Sequence, residues 1–175
     1  MIVLVDGRSG SGKSEFAAAL TDGWPEAQVV HLDALYPGWD GLEAGSLHVH
    51  DNVLASRTPR WQRWDWAAGE PAEWVALDPD RPIVIEGSGA LSRANRHYAD
   101  IAIWIELGDI ERKRRALARD GEMYAPHWDQ WAAQEQALVE RENPAALADG
   151  LVDGHDVAAA AEVWRAIVHP ARVGE

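Results

Sequence analysis

Apolar residues in this chain gather in short dense runs, and the stretches between them carry helical spacing. Met1 to Val5, Gln28 to Leu32, Pro82 to Gly87 and Asp100 to Glu106 are runs of strand length with few polar interruptions. Such runs belong to strands buried on both faces. Leu151 to Asp153 predicts a last short strand. Between them, Glu15 to Leu20, Ser46 to Arg57, Asp109 to Arg119 and Pro126 to Glu142 read as helices, with Asp109 as an N-cap and Pro126 in a first turn. An alanine-rich helix capped by Asp156 runs to about Val168. Gly23 to Glu26 is a turn, and Asp33 to Gly41 is kept out of helix by Pro37 and its glycines. Thr58 to Pro82 is expected to be irregular, broken by Pro59, Pro71, Pro79 and Pro82, although Trp61, Trp64, Trp66 and Trp74 argue against disorder there. Strands alternating with helices predict a three-layer α/β fold in one domain, 1–175. Its sheet is mainly parallel, of about five strands, with helices on both faces. Ligands of such sheets lie at the carboxyl ends of the strands, where Asp6, Asp33 and Glu86 fall.

Directly after the first run stands Gly7-Arg8-Ser9-Gly10-Ser11-Gly12-Lys13-Ser14. This matches G-x-x-x-x-G-K-[ST], the loop that cradles nucleotide phosphates, in the strand–loop–helix context the chemistry requires. Gly7, Gly10 and Gly12 permit close backbone approach to an anion. Lys13 is expected at the β- and γ-phosphates, Ser14 on Mg²⁺, and the following helix adds its positive end.

Other candidates follow from what phosphoryl transfer needs. Glu86 could hold Mg²⁺ or cap a turn; placement beside the loop strand favours the metal. Asp33 could accept a proton or simply form a turn. Arg112, Arg115 and Arg119 fall within about 60° of one another on a helix, with Ile110 and Leu117 on a separate, core-facing side. The stripe is either a solvated face or, for Arg115 and Arg119, a phosphate clamp. Trp104, Trp128 and Trp131 read as core, whereas Trp61, Trp64 and Trp66 could pack on the sheet or line a planar substrate.

A formal charge of −13 opposes binding to nucleic acid or an acidic membrane. The chain has no cysteine, hence no disulfide or thiolate site. No zinc-type histidine spacing and no G-x-S-x-G elbow appears. No apolar run approaches membrane-spanning length and no leader precedes the first strand, so a cytoplasmic location is expected.

The assembled pattern resembles the uridine kinase and phosphoribulokinase branch of P-loop kinases, from Ile2 to about Gly154. The G-x-S-G-S-G-K-S loop, Asp33-Ala34-Leu35-Tyr36 after a strand, Glu86-Gly87 after another, Arg112, Arg115, Arg119 and Asp120 in a lid pattern, and Ala148-Asp149 before the last strand carry the likeness. The resemblance implies a three-layer P-loop NTPase fold with a small helical lid over about 109–128. It implies Asp33 as catalytic base, Tyr36 near the acceptor, Glu86 at the metal, and Asp149 near adenine. ATP is implied as donor, held by Gly7 through Ser14 (Arg8, Ser9 and Ser11 included) with Arg112. The acceptor half departs from the pattern: Trp64-Asp65 is followed by Gly69 where the family has His.

The expected function is an ATP- and Mg²⁺-dependent kinase acting on a hydroxyl of a nucleoside or sugar-like acceptor, contacted by Asp33, Tyr36, Arg60, Trp64, Asp65 and Arg93. Two rivals stand beside it. A nucleoside monophosphate kinase needs a second phosphate cluster, for which Arg60, Arg63, Arg93 and Arg96 are candidates. A nucleotide-dependent regulatory module needs a partner protein. Any assembly is expected to be a homodimer or tetramer.

Overall fold

The computed structural model describes residues 1–169. Five parallel strands form the main sheet in the order β2-β5-β1-β6-β7: β1 Ile2–Gly7, β2 Gln28–His31, β5 Ile83–Glu86, β6 Ile101–Glu106 and β7 Gly150–Asp153. Strand β1 lies at the centre, paired with β5 through Val5↔Glu86 and with β6 through Gly7↔Ile105. Its own alternation divides the core. Val3 and Val5 face helices α1 (Lys13–Thr21) and α7 (Val157–Val168), with Phe16, Leu20 and Ala161. Leu4 faces the opposite layer, where α2 (Leu42–His48) and α5 (Trp128–Glu142) contribute Leu42, Trp128, Trp131 and Leu138. Period-two side chains from an all-parallel sheet require cover on both sides, and both covers are present.

Several boundaries differ from the sequence expectation. The segment expected to be irregular contains an antiparallel ribbon, β3 Arg60–Asp65 and β4 Glu70–Ala76. A register shift between Gln62 and Trp64 interrupts its alternation, and Pro71 is tolerated because the ribbon has no further strand to bond. Asp65 closes the turn by accepting from the amides of Ala67 and Ala68, both at 3.0 Å. The helix expected from Ser46 begins at Leu42 and passes into a wider π turn over Val49–Leu54. Short helices α3 (Arg93–Arg96) and α6 (Pro144–Leu147) carry too little periodicity to stand out.

Helix α4 (Asp109–Tyr124) extends past Arg119 and bends at Gly121, whose φ of 56° is outside the helical range. Its cap is Gly108 rather than Asp109, which uses its carboxylate on Arg112 and Arg8 instead. Of the expected core face, Leu117 packs against the core but Ile110 does not. Ile110 is 90 % exposed while Arg112 is 2 % exposed. Trp104, Trp128 and Trp131 are buried as expected. Asp156 caps α7 through the amide of Ala159. No helix among the described residues is long and apolar enough to cross a membrane.

Asp6 ties the sheet to the loop after β5. Its carboxylate accepts from the amides of Gly7 at 2.6 Å, Gly89 at 3.1 Å and Leu91 at 2.8 Å. Burial nevertheless outweighs these donors and pushes the carboxyl up to about 7. Between the ordinary carboxylate range and that value the folded protein holds a proton that the unfolded chain has released. This group's contribution to stability therefore falls as pH rises through that window, by about 1.4 kcal/mol per unit of raised pKa. Thermal unfolding followed from pH 5 to 8 is expected to show a falling midpoint, and Asp6→Asn is expected to make that slope shallower.

Candidate functional site

The glycine-rich loop leaves the carboxyl end of the central strand and turns into α1. Gly10 and Gly12 adopt φ of 81° and 106°, where a side chain would be strained. A Cβ on Gly10 would lie 2.2 Å from the carbonyl oxygen of Arg112, so that helix α4 presses directly on the loop. Gly10, Gly12, Lys13 and Ser14 line a cavity of about 220 Å³, closed on the other side by Asp33, Ser88, Arg115 and Arg119. The Lys13 ammonium donates to the carbonyl of Arg8 at 3.2 Å, which holds it over the loop.

Beside Lys13, Ser14 Oγ donates to Glu86 Oε1 at 3.0 Å. Parallel pairing of β1 with β5 puts this carboxylate one strand from the loop. Burial opposes ionisation of Glu86, but the His31 hydrogen bond, the Lys13 charge and Ser14 together hold its pKa below the ordinary value. The same hydrogen bond, 2.6 Å from His31 Nδ1 to Glu86 Oε1, raises the His31 pKa. Sequence reading passed over His31, although its position opposite Glu86 in the β2–β5 register was the available signal. A hydroxyl and an ionised carboxylate converging next to a phosphate loop match the hard oxygen donors Mg²⁺ prefers, with phosphate and water completing the shell. Among the described residues no group of three or more acidic or imidazole side chains could hold a metal without such help.

Asp33 occupies the short 3₁₀ turn after β2 and is exposed to solvent. Desolvation by the surrounding chain raises its pKa, the Lys13 charge works against the rise, and Glu86 adds to it. Asp33 and Arg119 also line a second, adjoining cavity of about 420 Å³ with Ser9, Asp120 and Met123. Tyr36, Trp39, Trp66, Tyr124 and Trp131 make up the remainder of its wall. Asp33 therefore stands at the junction of a phosphate-lined chamber and an aromatic one. Arg119 is at the same junction, paired with Asp120 at 2.7 Å, and Arg115 is anchored to the carbonyl of Gly154 at 2.8 Å.

Behind the loop, Glu135 is 2 % exposed. One oxygen accepts from the Ser9 amide at 2.6 Å, from Ser88 Oγ at 2.9 Å and from Trp131 Nε1 at 3.2 Å. The other faces the guanidiniums of Arg8 at 3.6 Å and Arg112 at 3.7 Å. Arg112 in turn donates to the Ser9 carbonyl at 2.9 Å. Arg8 and Arg112, both expected at the nucleotide, thus brace the loop from its far side and line neither chamber. Ser11 is buried within the loop.

Other sequence-based assignments are corrected by position. Asp149 accepts from the Ala102 amide at 2.8 Å and pairs with Arg96 at 2.9 Å. That is the amino-terminal edge of a parallel sheet, the far end from the loop, so Asp149 is not beside adenine. The segment after β7 lies by the loop instead: Gly154 approaches so closely that a Cβ would meet the Ser11 carbonyl at 2.6 Å. Arg60 lies over the Trp74 ring at 4.4 Å, Arg63 pairs with Glu73, and Asp65 is used in the ribbon turn. Arg93 is exposed beyond both cavities. Trp64 is half-buried in the ribbon; the tryptophan that reaches the cavity is Trp66, held by its indole N–H on the Asp33 carbonyl at 2.9 Å.

With this geometry described, the comparison with solved structures is informative. A possible uridine kinase from Bacillus stearothermophilus superposes with a TM-score of 0.58 and 19% identity, covering 87% of this chain and 88% of that one. The fold is that of the P-loop kinases. A shikimate kinase from Acinetobacter baumannii, in complex with shikimate, matches with a TM-score of 0.57 at 12% identity over 99% and 95% of the two chains. A gluconokinase from Sinorhizobium meliloti matches with a TM-score of 0.56 at 19% identity over 95% and 91%. No family model matches the chain, and no curated protein matches it in sequence.

Two variants check the placement. Asp149→Ala is expected to cost about 1–2 kcal/mol in denaturant unfolding, through a lost acceptor and ion pair, while ATP affinity measured by calorimetry stays within about twofold. Glu135→Gln leaves buried Arg112 and half-buried Arg8 with Asp109 as their one remaining carboxylate. It is expected to destabilise the fold by about 2 kcal/mol in the same unfolding assay and to weaken ATP binding.

Proposed function

We propose that the protein is an ATP- and Mg²⁺-dependent kinase that transfers the γ-phosphoryl group to a hydroxyl of a small acceptor. The observation that carries this reading is the position of Asp33, shared by the phosphate chamber and the aromatic chamber. Loop amides and Lys13 hold the β- and γ-phosphates; Ser14 and Glu86 are the side chains that would hold Mg²⁺, whose charge neutralises the phosphate oxygens. Asp33 takes the proton of the acceptor hydroxyl as its oxygen attacks, and its raised pKa suits a base that must gain a proton during the step. Arg115 and Arg119 line the phosphate chamber from α4 and supply positive charge over the migrating group.

The aromatic chamber, about 420 Å³, has room for a small ring-bearing acceptor such as the nucleoside or sugar-like compound suggested by the sequence. A monophosphate acceptor is disfavoured, since none of the four arginines proposed to bind it lines either chamber. A regulatory module is disfavoured by the acceptor-sized cavity beside the phosphate site.

Asp33→Asn is expected to lower acceptor-dependent ADP release by about 100-fold or more, with ATP affinity preserved. In the parent protein the acid limb of the kcat/KM profile is expected above the ordinary aspartate range, and the variant should lack it. Full turnover by Asp33→Asn would remove the base assignment.

A further inference from the structure

The wall of the larger cavity has an unusual chemistry. All five of its aromatic side chains carry a polar hydrogen, and four of them donate it to the protein. Tyr36 donates to the Ser88 carbonyl at 2.7 Å, Tyr124 to Ser9 Oγ at 3.0 Å, Trp66 to the Asp33 carbonyl at 2.9 Å, and Trp131 to Glu135 at 3.2 Å. The guanidinium of Arg119 is likewise paired with Asp120 through Nε at 2.8 Å and a terminal nitrogen at 2.7 Å. These four rings therefore turn carbon, not donors, toward whatever occupies the space, and the fifth, Trp39, is stacked face to face on Tyr124 and His127. Met123, 73 % exposed, continues the apolar surface at the rim.

From this we infer the acceptor class: a predominantly apolar, uncharged alcohol built on an aromatic or alicyclic ring, presenting one hydroxyl to Asp33. The inference rests on the kinase reading above and narrows it. A polyol entering this cavity would surrender hydrogen bonds to water and find few replacements, and unpaired polar groups are costly to bury. An anionic acceptor would meet the carboxylates of Asp33 and Asp120 and only one arginine, Arg119, which also faces the phosphate chamber. A flat apolar ring loses nothing and gains contact with the surrounding ring faces. In the transfer, the hydroxyl oxygen forms a bond to the γ-phosphorus of ATP and its proton goes to Asp33. The bond from that phosphorus to the β,γ-bridging oxygen breaks, its electron pair leaves with ADP, and Asp33 returns the proton to solvent.

The test separates binding from transfer. With saturating Mg²⁺ and a non-hydrolysable ATP analogue, NMR titrations of the indole N–H signals measure affinity for tryptophol and 2-naphthaleneethanol, and for glucose, gluconate, shikimate, uridine and uridine 5′-monophosphate. The two ring alcohols are expected to bind about tenfold more tightly, or better, than any of the others. Equal or tighter binding of any polyol, nucleoside or anion overturns the inference, as does a lack of binding by both ring alcohols. Met123→Glu, at the exposed rim, is expected to weaken the ring alcohols by about fivefold; unchanged affinity counts against the proposal. ADP release with ATP and the same panel then judges the kinase reading separately. A polyol that binds tightly and stimulates release removes this inference and leaves the kinase. Ring alcohols that bind tightly without stimulating release support the cavity assignment and remove the kinase.

Discussion

A single buried carboxylate sets the shape of the phosphate loop. Glu135 reaches the Ser9 amide from α5, a helix far along the chain, and two arginines from two other elements supply its counter-charge. A glycine-rich loop loses more conformational entropy on ordering than any other kind of segment. Charge-assisted hydrogen bonds in a low-dielectric interior are the means available to offset that loss. The arrangement also carries a penalty for failure, since removing Glu135 takes away the one buried carboxylate that both arginines face and leaves them only the exposed Asp109. Loop geometry, α4 placement and the position of Trp131 in the aromatic cavity are consequently held by one network.

Much of the donor half could be read directly from the residues. The strand–loop–helix order around Gly7 to Ser14, the acid ending β5 and the parallel sheet all follow from local pattern and motif spacing. Arg115 and Arg119 share the phosphate chamber because one helix face carries both. Arg112 shares their stripe in projection, yet its fate was decided by Glu135, a partner 23 positions away that no helical wheel contains. Helix periodicity reports which side chains share a face, and it is silent on which end of that face meets a buried acid.

The acceptor half was poorly legible for a related reason. A two-stranded ribbon with a bulge and a proline lacks the clean alternation that marks a sheet strand. Trp64 and Trp66 are two positions apart and would share a face of a continuous strand; what separates them is the end of β3 at Asp65, which puts Trp66 in the turn. Asp149 failed differently. A carboxylate just before a strand and one just after it look alike in sequence but stand at opposite edges of the sheet.

The ribbon meets the site through the Trp66 indole on the Asp33 carbonyl. It adds no strand to the main sheet. Replacing Trp66 therefore redraws the chamber beside Asp33 without disturbing the helix that begins at Lys13 or the strand that ends at Glu86. Such an architecture keeps the walls of one chamber mechanically separate from the sheet and loop that build the other.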